Sequence, residues 1–312
     1  MKALVIGITG FVGQYLTEHL VAAGDDVVGT AYRDAWSDDL APDVRDRVPV
    51  VEWNLTEPPP ESLWNLARAQ GIDCIYHLAG ISVPGECGEA APSPLAARIN
   101  VGGTRAVLEL ARALPTAPRV LVVSSSHVYA PVAPERPVVT ESAPLGPRNA
   151  YGVTKRQAEE LCQAALEAGQ DVVVARAFQH AGPRQLPKFM LPEWAEQFAR
   201  SGDEPIRVTT LDSHTDLSDV RDIVRAYRLL LATPNTRGIF NVGSGRNVRS
   251  GDVFQRLVAM TGRCAGVVER QPGFRQHPIA DCARLREATG WQLTIPLDQT
   301  IADTLNYFRH RV

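Results

Sequence analysis

The sequence predicts an α/β protein: a doubly wound parallel sheet carrying a smaller, discontinuous α/β domain. Short, continuously apolar runs rich in β-branched residues alternate with helical lengths through the first half of the chain, at 3–6, 26–30, 48–52, 74–78, 120–124 and 171–175. Runs of that kind suit strands buried on both faces, and the lengths between them suit parallel crossovers. A glycine-spaced turn follows the first run, the usual opening of such a sheet. After about residue 178 the rhythm loosens, with prolines at 183, 187, 192 and 205 and a further helix expected over 220–231. Residues 1–178 plus about 214–243 are therefore assigned to the first domain, and about 179–213 plus 244–312 to the second.

At 312 residues the chain can bury a large core, and its 32 basic and 35 acidic residues nearly cancel. No global field recruits nucleic acid or an anionic membrane, so an anionic ligand must be held by local groups. Five cysteines, odd in number and without metal-ligand spacing, point to reduced thiols and a cytoplasmic protein with no bound metal. The apolar start after Met1-Lys2 is too short for a signal segment, and nothing approaches a membrane span.

The first strand ends in Gly7-Ile-Thr9-Gly10-Phe11-Val12-Gly13, followed by an apolar helix that stops near Gly24. Glycines at those places let the backbone turn sharply and approach a pyrophosphate at the helix N-terminus, which makes the first domain a Rossmann-type dinucleotide-binding unit. The second strand ends at Gly29-Thr-Ala-Tyr-Arg33, where an acidic residue would grip an unphosphorylated ribose. Arg33 offers a cation for a 2′-phosphate instead, which favours NADP, with NAD possible because Asp34 and Asp38 follow closely. Asn54 and Leu55 after the third strand are candidate adenine contacts, though Asn54 could equally shape a turn. Leu78, Ala79 and Gly80 close the fourth strand with little side-chain bulk, room for a cofactor to pass near the backbone. Asn100, in a later helix, is a candidate bridge between backbone groups near that site.

Tyr151 and Lys155 stand four residues apart, so a helix stacks them on one face. A neighbouring ammonium is expected to lower the pKa of the phenol toward the working range. Upstream, Ser124-Ser125-Ser126-His127 ends the fifth strand on the side where a ligand should lie.

The ordered set Gly7-x-x-Gly-x-x-Gly13, His77-Leu-Ala, Ser125, Tyr151-x-x-x-Lys155, Arg176 to Pro183 and Asn241-Val-Gly-Ser-Gly245 resembles an extended short-chain dehydrogenase/reductase acting on nucleotide sugars. The likeness covers the whole chain, and is nearest to the branch that handles GDP-mannose derivatives, including reductases of the 4-keto-6-deoxy sugar. Gly182 to Gln185, 189–198, Leu217 to Asp222 and Gly245 to Arg249 carry that finer likeness. The resemblance implies a catalytic set of Ser125, Tyr151 and Lys155, with Tyr151 and Lys155 also touching the cofactor, and a homodimer built on the helices over 95–114 and 151–168.

The chain departs from that pattern at three places. His127 stands where dehydratases, and some of these reductases, carry glutamate, Gln179 replaces an asparagine, and Thr215 replaces an arginine before Asp216. Elimination of water from a 4-keto sugar needs an acid/base carboxylate that Ser126-His127 does not offer, whereas ketone reduction needs only a hydride and one proton. Ser126, His127 and Gln179 are expected at the sugar, and Arg249 and Arg275 at the diphosphate, where guanidinium forks match phosphate oxygens. The reading is an NADPH-dependent reductase of a GDP-4-keto-6-deoxy-hexose. Its rivals are an epimerase or GDP-mannose 4,6-dehydratase with tightly held cofactor and, in another class, a non-catalytic NADP-binding regulator.

Overall fold

The computed structural model describes residues 1–33, 36–200, 202, 204–263 and 266–311, so Asp34 and Cys264 lie outside the described residues. Seven strands form one parallel sheet: β1 (Lys2–Ile6), β2 (Asp26–Ala31), β3 (Val50–Glu52), β4 (Cys74–His77), β5 (Arg119–Ser125), β7 (Val172–Ala177) and β11 (Gly238–Val242). Their order across the sheet is β11-β7-β5-β4-β1-β2-β3, and every neighbouring pair is parallel. The apolar runs are continuous because both faces are covered. Ala3 and Val5 face one core with Tyr76, Leu121, Val173 and Ala175, while Leu4 and Ile6 face the other with Ile75, Val120, Val122, Val172 and Val174. Period-two alternation thus sorts one strand's residues between two cores.

The strand order reverses direction between β1 and β4. Helices leave to opposite faces there, which opens a crevice at the carboxyl ends of the strands.

The remaining strands, apart from β10, have two or three residues each. β6 (Val138–Val139) pairs with β15 (Ile279–Ala280), and β9 (Ile206–Val208) with β13 (Val267–Glu269). β10 (Ser213–Asp219) is the hub of a second sheet, pairing with β8 (Gln179–Ala181), β12 (Asn247–Arg249) and β14 (Arg275–Gln276). β10 runs directly into the helix Val220–Ala232, which packs against β5 and β7 of the large sheet. A separate apolar cluster of Leu191, Trp194, Phe198, Leu257 and Leu305 supports the second sheet.

Two polar devices brace the fold. Arg184 grips Glu18 with both guanidinium ends at 2.6 and 2.9 Å and lies 3.9 Å over the Tyr15 ring, while Tyr15 donates to the Pro183 carbonyl. The Gly182-Pro-Arg-Gln185 stretch is thus a clamp onto the first helix, Phe11–Ala22. Deeper, Arg176 on β7 is 1% exposed and paired with Glu159 through two bonds of 2.7 and 2.9 Å. Ser124 donates to the same carboxylate, and Arg176 also donates to the Tyr129 hydroxyl, which in turn donates to Asn241. A buried charge pair with its other polar valences filled fixes β5, β7, β11 and the helix Ala150–Glu167 against one another.

Candidate active site

The glycine turn after β1 is a cradle by geometry. Gly7 has φ of +89°, and a Cβ there would sit 2.9 Å from the Ala79 backbone; a Cβ on Gly13 would sit 2.3 Å from the Gly7 carbonyl. Side chains at either position would force β1, β4 and the first helix apart. No side chain caps the N-terminus of that helix at Gly10, which leaves Thr9, Phe11 and Val12 beside free backbone donors.

Next to the cradle lies a cavity of about 440 Å³ whose walls include Gly7, Thr30, Ala31, Tyr32, Trp53, Asn54, Leu55, Ala79, Gly80 and Arg98. Its apolar floor and the free helix donors beside it fit an adenosine and a pyrophosphate respectively. Asn54 accepts from the Thr56 backbone at 3.1 Å and its hydroxyl at 2.9 Å, so it shapes the turn and lines the cavity at once. Arg33 is exposed and sits 5.4 Å from the Tyr32 ring at the rim. Arg98, which no motif singles out, lines the same cavity and donates to the Thr56 carbonyl at 3.3 Å. Leu78 and Ala79 both donate backbone N–H to Ile6, seating the end of β4 against β1.

Asn100 lies in a π-helical turn, Ala97–Gly102, within an otherwise α-helical run. Such a turn re-aims side chains. The Asn100 amide accepts from the Ile81 N–H at 2.8 Å and donates to the Ile81 carbonyl at 3.1 Å and to Thr154 at 3.0 Å. It ties the loop after β4 to the helix bearing Tyr151 and Lys155.

That helix starts at Asn149, whose side chain accepts from the Gly152 N–H at 2.8 Å. A Cβ on Gly152 would be 2.4 Å from the His127 carbonyl. Glycine there lets the helix press directly on the turn Ser126–Val128, bringing Tyr151 beside Ser125 and His127. The Lys155 ammonium is 5.8 Å from the centre of the Tyr151 ring and donates to the Val123 carbonyl at 2.9 Å. The expected effect of the lysine on the phenol does not appear. Burial pushes the Tyr151 phenol up to about 12, with the Ser125 hydroxyl pulling the other way, and burial lowers the Lys155 ammonium to about 8. Desolvation disfavours both charged forms, and it is the largest cause of each shift. In this state Tyr151 holds its proton firmly and Lys155 can lose its own near neutrality.

His127 is half-buried, its ring edge-on to Tyr151 at 5.5 Å, with Nδ1 3.0 Å from the Asn149 amide nitrogen. Burial first, and the charge of His277 second, lower its pKa to about 4. Ser126 opens the same turn.

A second cavity, of about 390 Å³, is lined by residues including Gln179, Lys188, Glu193, Trp194, Arg275 and His277. Arg270, Thr209, Thr210 and Ser213 complete its polar wall. Gln179 accepts from Thr215 at 2.9 Å, which fixes its amide oxygen on the protein and leaves the amide nitrogen without a partner among the described residues. Arg275 binds Gln271 at 2.8 Å and forms no ion pair among the described residues, whereas Lys188 is paired with Glu86 and Arg270 with Glu193. Arg249 does not line this cavity. Its register opposite His214 turns its guanidinium to Asp212 at 3.1 Å. Glu193, Trp194, Lys188 and Arg270 were missed because no local motif marks them; they meet only when β9, β13 and the helix Met190–Ala199 pack together.

A parallel sheet with a glycine cradle at its switch point, joined to a tyrosine and lysine one turn apart, defines a dinucleotide-dependent enzyme. The chain belongs to the NAD dependent epimerase/dehydratase family, whose model matches residues 3–243. It is 30% identical to the GDP-6-deoxy-D-mannose reductase of Pseudomonas aeruginosa, over all of this chain and 98% of that protein. Among solved structures, RMD from Pseudomonas aeruginosa complexed with NADPH superposes over the full length of both chains with a TM-score of 0.80 and 28% identity. MoeE5 in complex with UDP-glucuronic acid and NAD also matches over both full chains, with a TM-score of 0.82 and 26% identity. These relatives use either nicotinamide cofactor and different nucleotide sugars. The chain is an NAD(P)-dependent enzyme of this oxidoreductase and epimerase family.

Proposed function

We propose that the protein reduces the 4-keto group of a GDP-linked 4-keto-6-deoxy-hexose with NADPH. The observation that carries this reading is the composition of the site: Ser125, Tyr151 and Lys155 stand together, and the place beside them holds a histidine of depressed pKa rather than a carboxylate. That equipment suits one protonation and no elimination. When bound, the cofactor supplies the hydride. Gly7, Gly10 and Gly13 would hold its pyrophosphate and Asn54 and Leu55 its base. Arg33 and Arg98 at the rim favour a 2′-phosphate, and Tyr151 and Lys155 would reach its nicotinamide ribose. Ser125 donates to the ketone oxygen, and Tyr151 delivers the proton to the alkoxide that forms there.

Guanine is supported by the chemistry of the second cavity. Glu193 and Arg270 stand side by side, 2.7 Å apart, with the Trp194 indole N–H buried and unpartnered nearby. A carboxylate beside a guanidinium matches the guanine edge, which offers two N–H donors next to one carbonyl; uracil offers one N–H between two carbonyls. Arg275 is then the cation left for the diphosphate. A homodimer through the exposed faces of the helices over 95–113 and 150–167 fits the same reading and is checked by light scattering.

The deciding experiment supplies GDP-4-keto-6-deoxy-mannose and NADPH. Stoichiometric loss of NADPH absorbance with a reduced GDP-deoxyhexose as product is expected. Turnover without net NADPH loss would identify an epimerase instead, and no turnover of any tested sugar, with NADPH bound, a non-catalytic binder.

A further inference from the structure

The hydrogen bonds around His127 determine which of its ring nitrogens carries a proton. A backbone N–H can only donate, so the bond from Gly152 at 2.8 Å requires the Asn149 amide oxygen to face it. The Asn149 NH2 group must then be the atom set 3.0 Å from His127 Nδ1. An amide NH2 can only donate, so Nδ1 must present its lone pair. A neutral imidazole with Nδ1 as acceptor carries its proton on Nε2. Gaining a second proton at Nδ1 would break the bond to Asn149 inside a half-buried site, which agrees with the lowered pKa.

Nε2 makes no hydrogen bond among the described residues. The ring stands edge-on to the Tyr151 ring at 5.5 Å, and the charge of His277, which lines the second cavity, bears on it. A sugar whose ketone sits at Tyr151 comes beside this ring.

We propose that His127 is locked by Asn149 as the neutral Nε2–H tautomer and donates that hydrogen to an oxygen of the substrate sugar, at or next to the carbon reduced beside Tyr151. It is then a catalytic hydrogen-bond donor and cannot serve as a base, because Nε2 already holds a proton and the Nδ1 lone pair is taken. A neutral imidazole can stabilise a developing oxyanion without itself titrating. The chain therefore places a donor without acid/base capacity where its dehydrating relatives are expected to use a carboxylate. The inference rests on the reductase reading for the identity of the sugar, but not for the tautomer.

Two measurements test it. In the free protein, imidazole nitrogen NMR followed from pH 5 to 8, with His127 assigned by loss of its signals in His127→Gln, is expected to show one neutral Nε2–H form throughout. Asn149→Asp keeps an oxygen for the Gly152 cap but turns the atom facing Nδ1 into an acceptor. It is expected to move the proton to Nδ1 and bring an imidazolium into that pH window. Titration of wild-type His127 there, an Nδ1–H form, or unchanged signals in Asn149→Asp would overturn the proposal, whatever the substrate proves to be. In the second arm, His127→Ala is expected to lower kcat/KM for NADPH-dependent ketone reduction by about 10²-fold or more, the usual loss for one oxyanion donor. His127→Gln restores an N–H donor at a similar reach and is expected to recover most of that loss, while His127→Glu, an acceptor, is not. Activity retained by His127→Glu and lost in His127→Gln would assign a base and refute the donor role. If wild-type protein reduces no GDP-keto sugar, the reductase reading fails while the nitrogen spectra still decide the tautomer.

Discussion

Replacing Lys155 by methionine should make the protein more stable at neutral pH while removing its activity. The lysine is 9% exposed, and burial lowers its pKa from the ordinary 10.5 to about 8. At about 1.4 kcal/mol for each pH unit, keeping that ammonium charged in the folded state costs about 3 kcal/mol. Methionine has a similar length and no charge, but it leaves the Val123 carbonyl without its 2.9 Å donor, a loss of about 1–2 kcal/mol. The net gain is about 1–2 kcal/mol, or a few degrees in Tm for a chain of this size. The sign with pH is fixed. Between about pH 8 and 10.5 the unfolded lysine binds the proton and the folded one does not, so wild-type stability rises through that window. The advantage of Lys155→Met is therefore full below pH 8 and gone by about 10.5. Urea unfolding of both proteins at pH 7, 9 and 10.5, without cofactor, measures it directly. A methionine variant less stable than wild type at pH 7, or an advantage that does not shrink as pH rises, would refute the reasoning that burial dominates this site.

Three shorter expectations follow from the same geometry. Glu159→Gln leaves the Arg176 guanidinium buried and uncompensated, and should destabilise the protein by about 3–5 kcal/mol in urea; Glu159→Leu with Arg176→Met should recover most of that, and equal losses in both would show that the charge pair is not the cause. Gly152→Ala pushes the helix of Tyr151 and Lys155 off the His127 carbonyl, so reductase turnover should fall at least about 10-fold with a smaller loss of stability; unchanged kcat would mean the contact does not position Tyr151. Calorimetry should find GDP bound about 10-fold tighter than inosine diphosphate, which lacks the 2-amino group, with the difference abolished in Glu193→Ala; equal binding of both by wild type would remove Glu193 from base recognition.

Much of the first domain could be read from the sequence because its determinants are local. Buried parallel strands write themselves as continuous apolar runs, and a backbone that must touch Ala79 and its own helix admits only glycine at 7 and 13. The four-residue spacing of Tyr151 and Lys155 was equally legible, and so was the hydroxyl at Ser125. The second cavity was not. Its polar wall is assembled from residues between 179 and 277, drawn from separate elements of the second domain. Arg249 was chosen for its charge, but the pairing of β12 with β10 delivers that charge to Asp212.

Sequence alone determined which groups the site contains: a phenol, an ammonium and a serine hydroxyl near a glycine cradle, with a histidine in place of a carboxylate. Their protonation was decided only by the tertiary structure. Helical spacing brings Lys155 to Tyr151, yet the depth of the helix Ala150–Glu167 in the fold desolvates both groups, which keeps the phenol protonated. The cap that starts the same helix turns the Asn149 amide, and that amide selects the tautomer of His127. Composition is a property of the chain, but dielectric surroundings and hydrogen-bond direction exist only once distant segments are packed together.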